Sequence, residues 1–170
     1  SITKPSSPSG VSRLQAENSW ISLSNKKKLP LQIFRLAGIY SNEFNILKRL
    51  QAGTVQIVDK KNHFFSRIHF EDIDNILFKS LDNFKNNEIY NISDDKPASQ
   101  FDVANYGARL LKLDLPKSVK LEDVESEMLK NFYKDSKKVD NKKMKLFFNY
   151  NLKYPTYEEG LNNIFNNNKT

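Results

Sequence analysis

Apolar positions recur at helical spacing along much of the chain, and the first such segment predicts a helix from about residue 7 to Leu23. Its apolar positions are Val11, Leu14, Trp20, Ile21 and Leu23. Ser7 or Ser9 can cap the first turn, because a short hydroxyl side chain accepts a hydrogen bond from a free backbone N–H there. The apolar side of this helix is wide, so we expect the helix to pack against a sheet. We expect a solvated turn at residues 25–28.

The same spacing predicts six further helices. They cover residues 44–50, 72–83, 99–111, 121–133, 141–148 and a terminal segment that begins at Thr156. Ser99 with Asp102, and Thr156 with Glu159, match the capping box that opens a helix. Gly53 permits the left-handed conformation that ends the second helix. The expected apolar face of the helix over 121–133 carries Met128, Leu129 and Phe132.

Strand patterns lie between these helices. Residues 31–36 form an apolar run interrupted by Gln32, which is typical of a buried parallel strand, and residues 88–92 predict another strand. Residues 55–57 and 64–70 predict shorter extended segments. A buried strand needs hydrogen-bonding neighbours on both sides, and residues 1–30 supply none. Together with the first residue, Ser1 rather than Met, this leads us to expect a fragment of a larger protein.

Composition narrows the function classes. The chain has 170 residues, a net charge of +7 and a pI near 9.4, which raises the possibility of nucleic-acid binding. Its lysines are spread through predicted loops and helix ends without a recognisable nucleic-acid motif, so we expect no nucleic-acid partner. The absence of cysteine and the two separated histidines predict no metal site. No long apolar run predicts a membrane span, and we expect a cytoplasmic protein.

The segment from Pro8 to Glu17 carries a more specific pattern. It resembles the motif Pro-Tyr-Gly-x-Ser-Lys-x-x-x-Glu of extended short-chain dehydrogenases/reductases, with agreement at Pro8, Gly10, Ser12 and Glu17. Ser9 stands in place of the family's catalytic tyrosine and Arg13 in place of its lysine.

Four further blocks resemble segments of the same family, in the family's order. They are Arg35-Leu36-Ala37-Gly38-Ile39-Tyr40, the segment from Ser66 to Ile73, Ile89-Tyr90-Asn91-Ile92, and the segment from Tyr154 to Leu161. The chain is therefore similar to the C-terminal half of an NAD-dependent epimerase/dehydratase, within an uncharacterised branch of that family.

The resemblance implies an α/β fold that combines the C-terminal part of a Rossmann-like NAD(P)-binding fold with a small α+β substrate-binding domain. Residues 1–40 would hold the last helix and strand of a truncated Rossmann-type domain. Residues 41–170 would form mainly the substrate-binding domain, with the helix near 72–83 as a candidate to pack on the Rossmann part. The glycine-rich phosphate loop of the family does not occur in the sequence.

The resemblance also implies site residues. Ser9 and Arg13 take the catalytic positions; Arg13, Leu36, Ala37 and Gly38 are candidates to bind NAD or NADP; Gly38, Tyr40, Arg67 and His69 are candidates to bind substrate. In the family the tyrosine exchanges a proton with a sugar hydroxyl, and the lysine one turn later lowers its pKa and bonds the ribose. Serine is a far poorer acid or base, whereas arginine can still bond ribose hydroxyls.

Each substrate candidate keeps a structural alternative at this point. Gly38 could serve only to allow close backbone approach. Tyr40 could face substrate or cap the end of the sheet. Arg67 could grip an anion such as a diphosphate, or pair with Glu71 or Asp72. For His69 we favour a core histidine with its hydrogen bonds satisfied over an acid that acts on substrate.

Two functions follow from the resemblance. The first is an NAD(P)-dependent epimerase, dehydratase or reductase of a nucleotide-sugar-type small molecule, in which the Tyr-x-x-x-Lys pair is replaced by Ser9 and Arg13. The second is a non-catalytic NAD(P)-binding sensor or scaffold of the same fold. Whether the protein is an enzyme stays open at this point, and a homodimer of the full-length protein is compatible with either function.

Overall fold

The computed structural model describes Pro5 and residues 7–58 and 60–167, without the side chains of Met128 and Phe132. The helices are α1 (Pro8–Lys27), α2 (Ile46–Gln51), α3 (Phe70–Asp82), α4 (Gln100–Leu111), α5 (Glu127–Phe132), α6 (Lys142–Phe148) and α7 (Tyr157–Asn167), with a 3₁₀ turn at Leu121–Asp123. The strands are β1 (Gln32–Leu36), β2 (Gly38–Tyr40), β3 (Ile57–Val58), β4 (Arg67–His69), β5 (Glu88–Ile92) and β6 (Ser118–Val119). None of these described helices is long and apolar enough to cross a membrane.

The described strands form three parallel pairs: β1 with β5, β2 with β4, and β3 with β6. In the longest pair, Gln32 lies opposite Glu88 and Leu36 opposite Ile92, with α3 on the connection between the two strands. The predicted parallel strands at 31–36 and 88–92 are thus confirmed. β1 is half-buried rather than fully buried, because β5 is its one partner among the described strands. The predicted division of the chain at residue 40 stays a prediction.

α1 is longer than its apolar pattern predicts. Ser7 caps it by accepting a hydrogen bond from the Gly10 N–H at 3.2 Å, and it continues to Lys27 before Lys28 adopts the left-handed conformation. The predicted turn at 25–28 is wrong, since lysine is a good helix former and its charge is favourable at a helix C-terminus. Trp20 is 58% exposed, so the expected packing of the whole apolar side on a sheet does not occur within the described residues.

The helix predicted over 121–133 is also wrong. The chain makes a 3₁₀ turn at Leu121–Asp123, extends through the buried Val124, and restarts as α5. Ser126 causes the restart, because its hydroxyl accepts a hydrogen bond from the Leu129 N–H at 3.3 Å as an N-cap. The expected apolar positions Met128 and Phe132 lie outside the described side chains.

Both predicted capping boxes are present. The Ser99 hydroxyl accepts a hydrogen bond from the Asp102 N–H at 3.0 Å, and the Glu159 carboxylate accepts one from the Thr156 N–H at 3.0 Å. Gly53 has a φ of +66°, as expected after α2. These local signals are reliable because each is satisfied within a few residues of chain.

Two main apolar clusters hold the elements together. The first joins β2, α2, β3, α4 and α7, and its buried residues include Leu47, Ile57, Ala104, Leu161 and Ile164. The second joins β4, α3, β5 and α6, and its buried residues include Ile68, Ile76, Tyr90, Met144 and Phe148. β2 and β4 pair at the boundary between the two clusters, and a large cavity opens beside that pair.

A buried carboxylate fixes the chain before α7. Asp72, in the first turn of α3, is fully buried and accepts hydrogen bonds from the Tyr150 hydroxyl at 2.7 Å, the Lys153 N–H at 2.7 Å and the Tyr154 N–H at 3.1 Å. Its charge also lies at the positive end of the α3 dipole. One side chain therefore joins α3 to the loop over 150–154.

Candidate functional site

A cavity of about 1370 Å³ lies where β1 ends and β2 begins. Its walls come from α1, the β1–β2 corner, α2, β4 and an irregular segment over residues 136–140. This volume exceeds the roughly 300–1000 Å³ of most small-molecule sites, so the cavity has room for a ligand of more than one chemical unit.

The β1–β2 corner carries three of the predicted cofactor-binding residues. The chain leaves the β1–β5 pair at Ala37, whose N–H donates to the Ile92 carbonyl at 2.9 Å. It enters the β2–β4 pair at Gly38, whose N–H donates to the Ser66 carbonyl at 3.1 Å. Leu36, Ala37 and Gly38 all line the cavity. A Cβ at Gly38 would lie 3.4 Å from the Ser66 carbonyl oxygen and 4.0 Å from the Arg67 side chain, so the missing side chain would point at β4.

Arg13 lines the same cavity from α1. One turn later on α1, Glu17 accepts two hydrogen bonds from Arg35 of β1: one from Nε at 2.9 Å and a shorter one from a terminal nitrogen. This paired contact raises the pKa of Arg35 and ties the helix to the strand. Arg13 is thereby placed beside the β1–β2 corner, in a position to donate to ligand hydroxyls.

Ser9 is not among the residues that line the cavity. Its hydroxyl lies 3.4 Å from the hydroxyl of Ser7, the residue that caps α1. The structure therefore brings Arg13 to the cavity with the β1–β2 corner and leaves Ser9 outside its wall.

Tyr40 lines the cavity, but its hydroxyl is buried and has no hydrogen-bond partner among the described residues. The ring packs edge-on against His69, with ring centroids 5.0 Å apart. Burial raises the pKa of the Tyr40 hydroxyl, with nearby Asp94 adding to the effect. Of the two alternatives for Tyr40, the geometry favours packing inside the protein, because a buried phenol with a raised pKa is a poor base.

Arg67 contributes a fixed cation to the wall. One terminal nitrogen donates to the carbonyls of Phe65 and Ala98 at 3.0 Å each, and the other donates to the Gln100 side chain at 3.3 Å. Burial lowers the pKa of Arg67, and the partners named here are all neutral. Since a guanidinium has five N–H donors, Nε–H and one terminal N–H are left over for a ligand.

The alternative of an ion pair from Arg67 to α3 is wrong. Glu71 pairs instead with Lys153 at 2.5 Å, and Asp72 is occupied by the loop over 150–154. Neither carboxylate is therefore the partner of Arg67, and the charged group that acts on it most strongly is Asp94, which raises the pKa of Arg67 against the effect of burial.

His69 lies outside the main cavity and has a structural role. It is 1% exposed, its Nδ1 accepts a hydrogen bond from the Glu71 N–H at 3.2 Å, and its ring stacks near Tyr154 with centroids 4.1 Å apart. Burial lowers the pKa of the imidazole. His69 is the N-cap of α3 and is buried, as the expected core histidine would be. It is satisfied only in part, because its buried Nε2 has no hydrogen-bond partner among the described residues.

Basic side chains outnumber acidic ones along the cavity. The basic residues in its wall are Arg13, Arg35, Lys48, Arg49, Arg67, Lys137 and Lys138, and the acidic ones are Glu43 and Asp140. Part of this charge is neutralised locally, because Glu17 pairs with Arg35, Glu43 with Lys48 and Asp135 with Lys137. The remaining excess favours an anionic ligand.

Sequence reasoning missed Ser66, Lys137 and Lys138 as site residues. The two lysines lie in a stretch without periodicity, so no sequence pattern distinguishes them from lysines of a solvated loop. Their place in the wall comes from tertiary contacts: the Lys137 N–H donates to the Phe64 carbonyl at 2.9 Å, and the Val139 N–H donates to the Ser66 hydroxyl at 2.9 Å. Among the described residues, no group of histidine and acidic side chains is placed to hold a metal ion.

No family model matches this sequence, and no curated protein matches it. Solved structures do match, over almost the whole chain. A functionally unknown conserved protein from Silicibacter pomeroyi is 34% identical, with a TM-score of 0.89, over 98% of this chain and 58% of its own.

Two enzymes match at lower identity. dTDP-glucose 4,6-dehydratase from Bacillus anthracis, in complex with NAD, is 18% identical over 97% of this chain and 53% of its own, with a TM-score of 0.78. UDP-glucose 4-epimerase from Thermotoga maritima, with UDP-glucose, is 17% identical over 99% of this chain and 55% of its own, with a TM-score of 0.80.

The chain thus spans between 53% and 58% of the length of these structures. At such identities the two enzymes establish the fold and leave the activity to be argued from the site. The chain has the α/β fold of a portion of the Rossmann-type epimerase and dehydratase structures.

Proposed function

We propose that this chain provides the nucleotide-sugar cavity and one side of the nicotinamide site of an NAD(P)-binding protein of the extended short-chain dehydrogenase/reductase type. The observation that carries the proposal is the cavity itself. It joins the backbone of Ala37 and Gly38 and the guanidinium of Arg13 to a wall rich in basic residues that contains Arg67.

The nicotinamide side is supported by the chemistry of the residues present. Arg13 offers donors suited to ribose hydroxyls, and the corner at Ala37 and Gly38 presents backbone without a bulky side chain. A bound nicotinamide supplies hydride transfer. The chain's own residues would orient the ring and exclude water from one face.

The anionic side is supported by Arg67. Its guanidinium is held by three neutral acceptors, which pre-organise it without an ion pair to any of the three. A diphosphate matches the free donors of a guanidinium in geometry and charge. Solved structures of the same fold contain UDP-glucose or UDP-glucuronic acid, which is consistent with this class of ligand.

A second function, binding without catalysis, is favoured by the surroundings of Ser9 and Tyr40. Ser9 is a poor acid or base outside the cavity wall, and the Tyr40 hydroxyl is buried. Neither group is equivalent to the catalytic tyrosine of the family, whose phenol has a lowered pKa and lies beside the substrate. In this function Arg13 and Arg67 still bind their ligands, and the protein acts as a sensor of the ligand or as a scaffold for a partner.

The experiment compares binding with turnover in the protein produced from its complete coding sequence. Calorimetry with UDP-glucose, UDP-glucuronic acid and dTDP-glucose, each with and without NAD⁺ or NADP⁺, measures binding, and nicotinamide absorbance measures hydride transfer. Binding with turnover supports the enzyme. Binding without turnover, unchanged in Ser9→Tyr and Ser9→Tyr/Arg13→Lys, supports the non-catalytic function. No binding of any nucleotide sugar contradicts both functions as proposed.

A further inference from the structure

The segment over residues 136–140, here called the strap, forms one wall of the cavity without belonging to a helix or strand. An irregular segment has no hydrogen-bond ladder to hold it, so its position depends on individual contacts. These are one backbone bond, from the Lys137 N–H to the Phe64 carbonyl at 2.9 Å, and several side-chain bonds. The strap runs beside residues 64–66. The Phe64 N–H donates to the Ser136 hydroxyl at 3.0 Å, and the Lys138 ammonium lies 3.9 Å from the centre of the Phe64 ring.

Ser66 makes the contacts that join the strap to the opposite wall. Its buried hydroxyl accepts a hydrogen bond from the Val139 N–H at 2.9 Å and lies 3.4 Å from the Lys137 carbonyl, to which it donates. Its backbone carbonyl accepts the Gly38 N–H at 3.1 Å. One residue therefore holds the β1–β2 corner through its backbone and the strap through its side chain.

We propose that Ser66 is a positioning residue that sets the distance between the strap and the β1–β2 corner, and so controls affinity for the anionic ligand. The inference rests on the proposed function for the identity of that ligand. The Lys137 carbonyl and the Val139 N–H lie on either side of Lys138. Loss of the hydroxyl would therefore release the part of the wall that carries Lys138 and Lys137, the second of which pairs with Asp135 at 3.2 Å.

Ser66 holds the strap through its hydroxyl and the β1–β2 corner through its carbonyl, so the two contacts can be tested separately. Ser66→Ala removes the hydroxyl and keeps the carbonyl that holds Gly38. Both hydrogen bonds of the hydroxyl are lost, and we expect about fivefold weaker binding of UDP-glucose. NAD(H) affinity should stay unchanged, because the corner keeps its bond. A general loss of stability would weaken both ligands together, and that result would overturn the proposal.

Two further variants and a control complete the series. Ser66→Thr retains a hydroxyl and should restore most of the UDP-glucose affinity. Ser136→Ala removes the exposed bond to the Phe64 N–H and should weaken UDP-glucose binding in the same direction without disturbing the core. Ser80→Ala, on α3, removes a hydroxyl bonded to the Leu77 carbonyl and should change neither affinity.

Amide hydrogen exchange separates this proposal from the proposed function. In the wild-type protein the Val139 amide should be protected, and in Ser66→Ala it should exchange faster while the Gly38 amide does not change. If no nucleotide sugar binds the wild-type protein, the proposed function fails, and the exchange at Val139 still decides whether Ser66 anchors the strap. Equal exchange at Val139 in both proteins, or equal UDP-glucose affinity, would overturn the role of Ser66.

Discussion

The side chain of Tyr40 occupies the space that a Cβ atom would need at Gly160. A Cβ placed on Gly160 would lie 2.7 Å from ring atoms Cζ and Cε2 of Tyr40 and still closer to its hydroxyl oxygen. This contact brings α7 against β2 and explains a glycine inside a helix, where glycine costs roughly 1 kcal/mol relative to alanine. The contact also determines which way Tyr40 faces.

We expect Gly160→Ala to destabilise the protein by about 1–3 kcal/mol, because the added methyl group overpacks the site. Urea unfolding measures the change. Tyr40→Phe alone should be close to neutral, since the hydroxyl that it removes has no hydrogen-bond partner among the described residues. In the double variant the hydroxyl oxygen, the atom nearest to the added Cβ, is gone, and part of the loss should be recovered. A fully additive double variant would show that the two residues do not compete for this space.

The pair formed by Glu17 and Arg35 predicts a measurable coupling between α1 and β1. Both side chains are largely buried, with 13% of Glu17 and 26% of Arg35 exposed. We expect Glu17→Ala to lower the free energy of unfolding by about 1–2 kcal/mol. This is a small loss for two hydrogen bonds between charged groups, because solvent screens part of their interaction. A double-mutant cycle with Arg35→Ala gives the coupling energy. The matched control is Glu43→Ala, which breaks an exposed pair with Lys48 and should cost close to nothing.

Asp72 should be among the most sensitive polar positions of the described chain. Asp72→Ala removes three hydrogen bonds and leaves two backbone N–H groups of the loop over 150–154 without their acceptor. The expected loss is about 3–5 kcal/mol in chemical denaturation. Tyr150→Phe removes one of the three bonds and should cost about 1 kcal/mol. Similar losses for both variants would contradict the role of Asp72 as a hub.

Asp94 predicts how stability depends on pH. Burial raises the pKa of its carboxyl to about 7, and one of its oxygens has no hydrogen-bond partner among the described residues. The ordinary pKa of the carboxyl is 3.8. Between that pH and the raised pKa, the folded protein keeps a proton on Asp94 that the unfolded chain has released. The contribution of Asp94 to stability is therefore complete below pH 3.8 and is lost as the pH rises to about 7.

The test is Asp94→Asn, which keeps the shape and cannot ionise. At pH 4 we expect wild type and variant to have similar free energies of unfolding, and at pH 8 we expect the variant to be more stable by a few kcal/mol, on the order of the linkage between the two pKa values. Denaturation curves across this range measure the difference. The control Asp114→Asn replaces an exposed aspartate. A difference that shrinks as the pH rises would contradict the assignment.

Local signals in the sequence determined much of the fold. Ser99 and Thr156 marked the starts of α4 and α7, and the apolar run before Leu36 marked β1, because a cap or a buried strand is specified by residues close together in the chain. The same signals failed where a lysine-rich stretch continued α1 and where Ser126 began a new helix, since propensity and capping competed there with the apolar pattern.

The candidate site also contains residues that the sequence identifies and residues that it does not. The motif around Arg13 and the corner at Gly38 could be identified by resemblance, and the structure brings both to one cavity. The strap with Lys137 and Lys138, the anchoring hydroxyl of Ser66 and the burial of Tyr40 against Gly160 could not. Those contacts join residues far apart in sequence, and their existence depends on how the helices and strands pack rather than on any pattern that the chain carries locally.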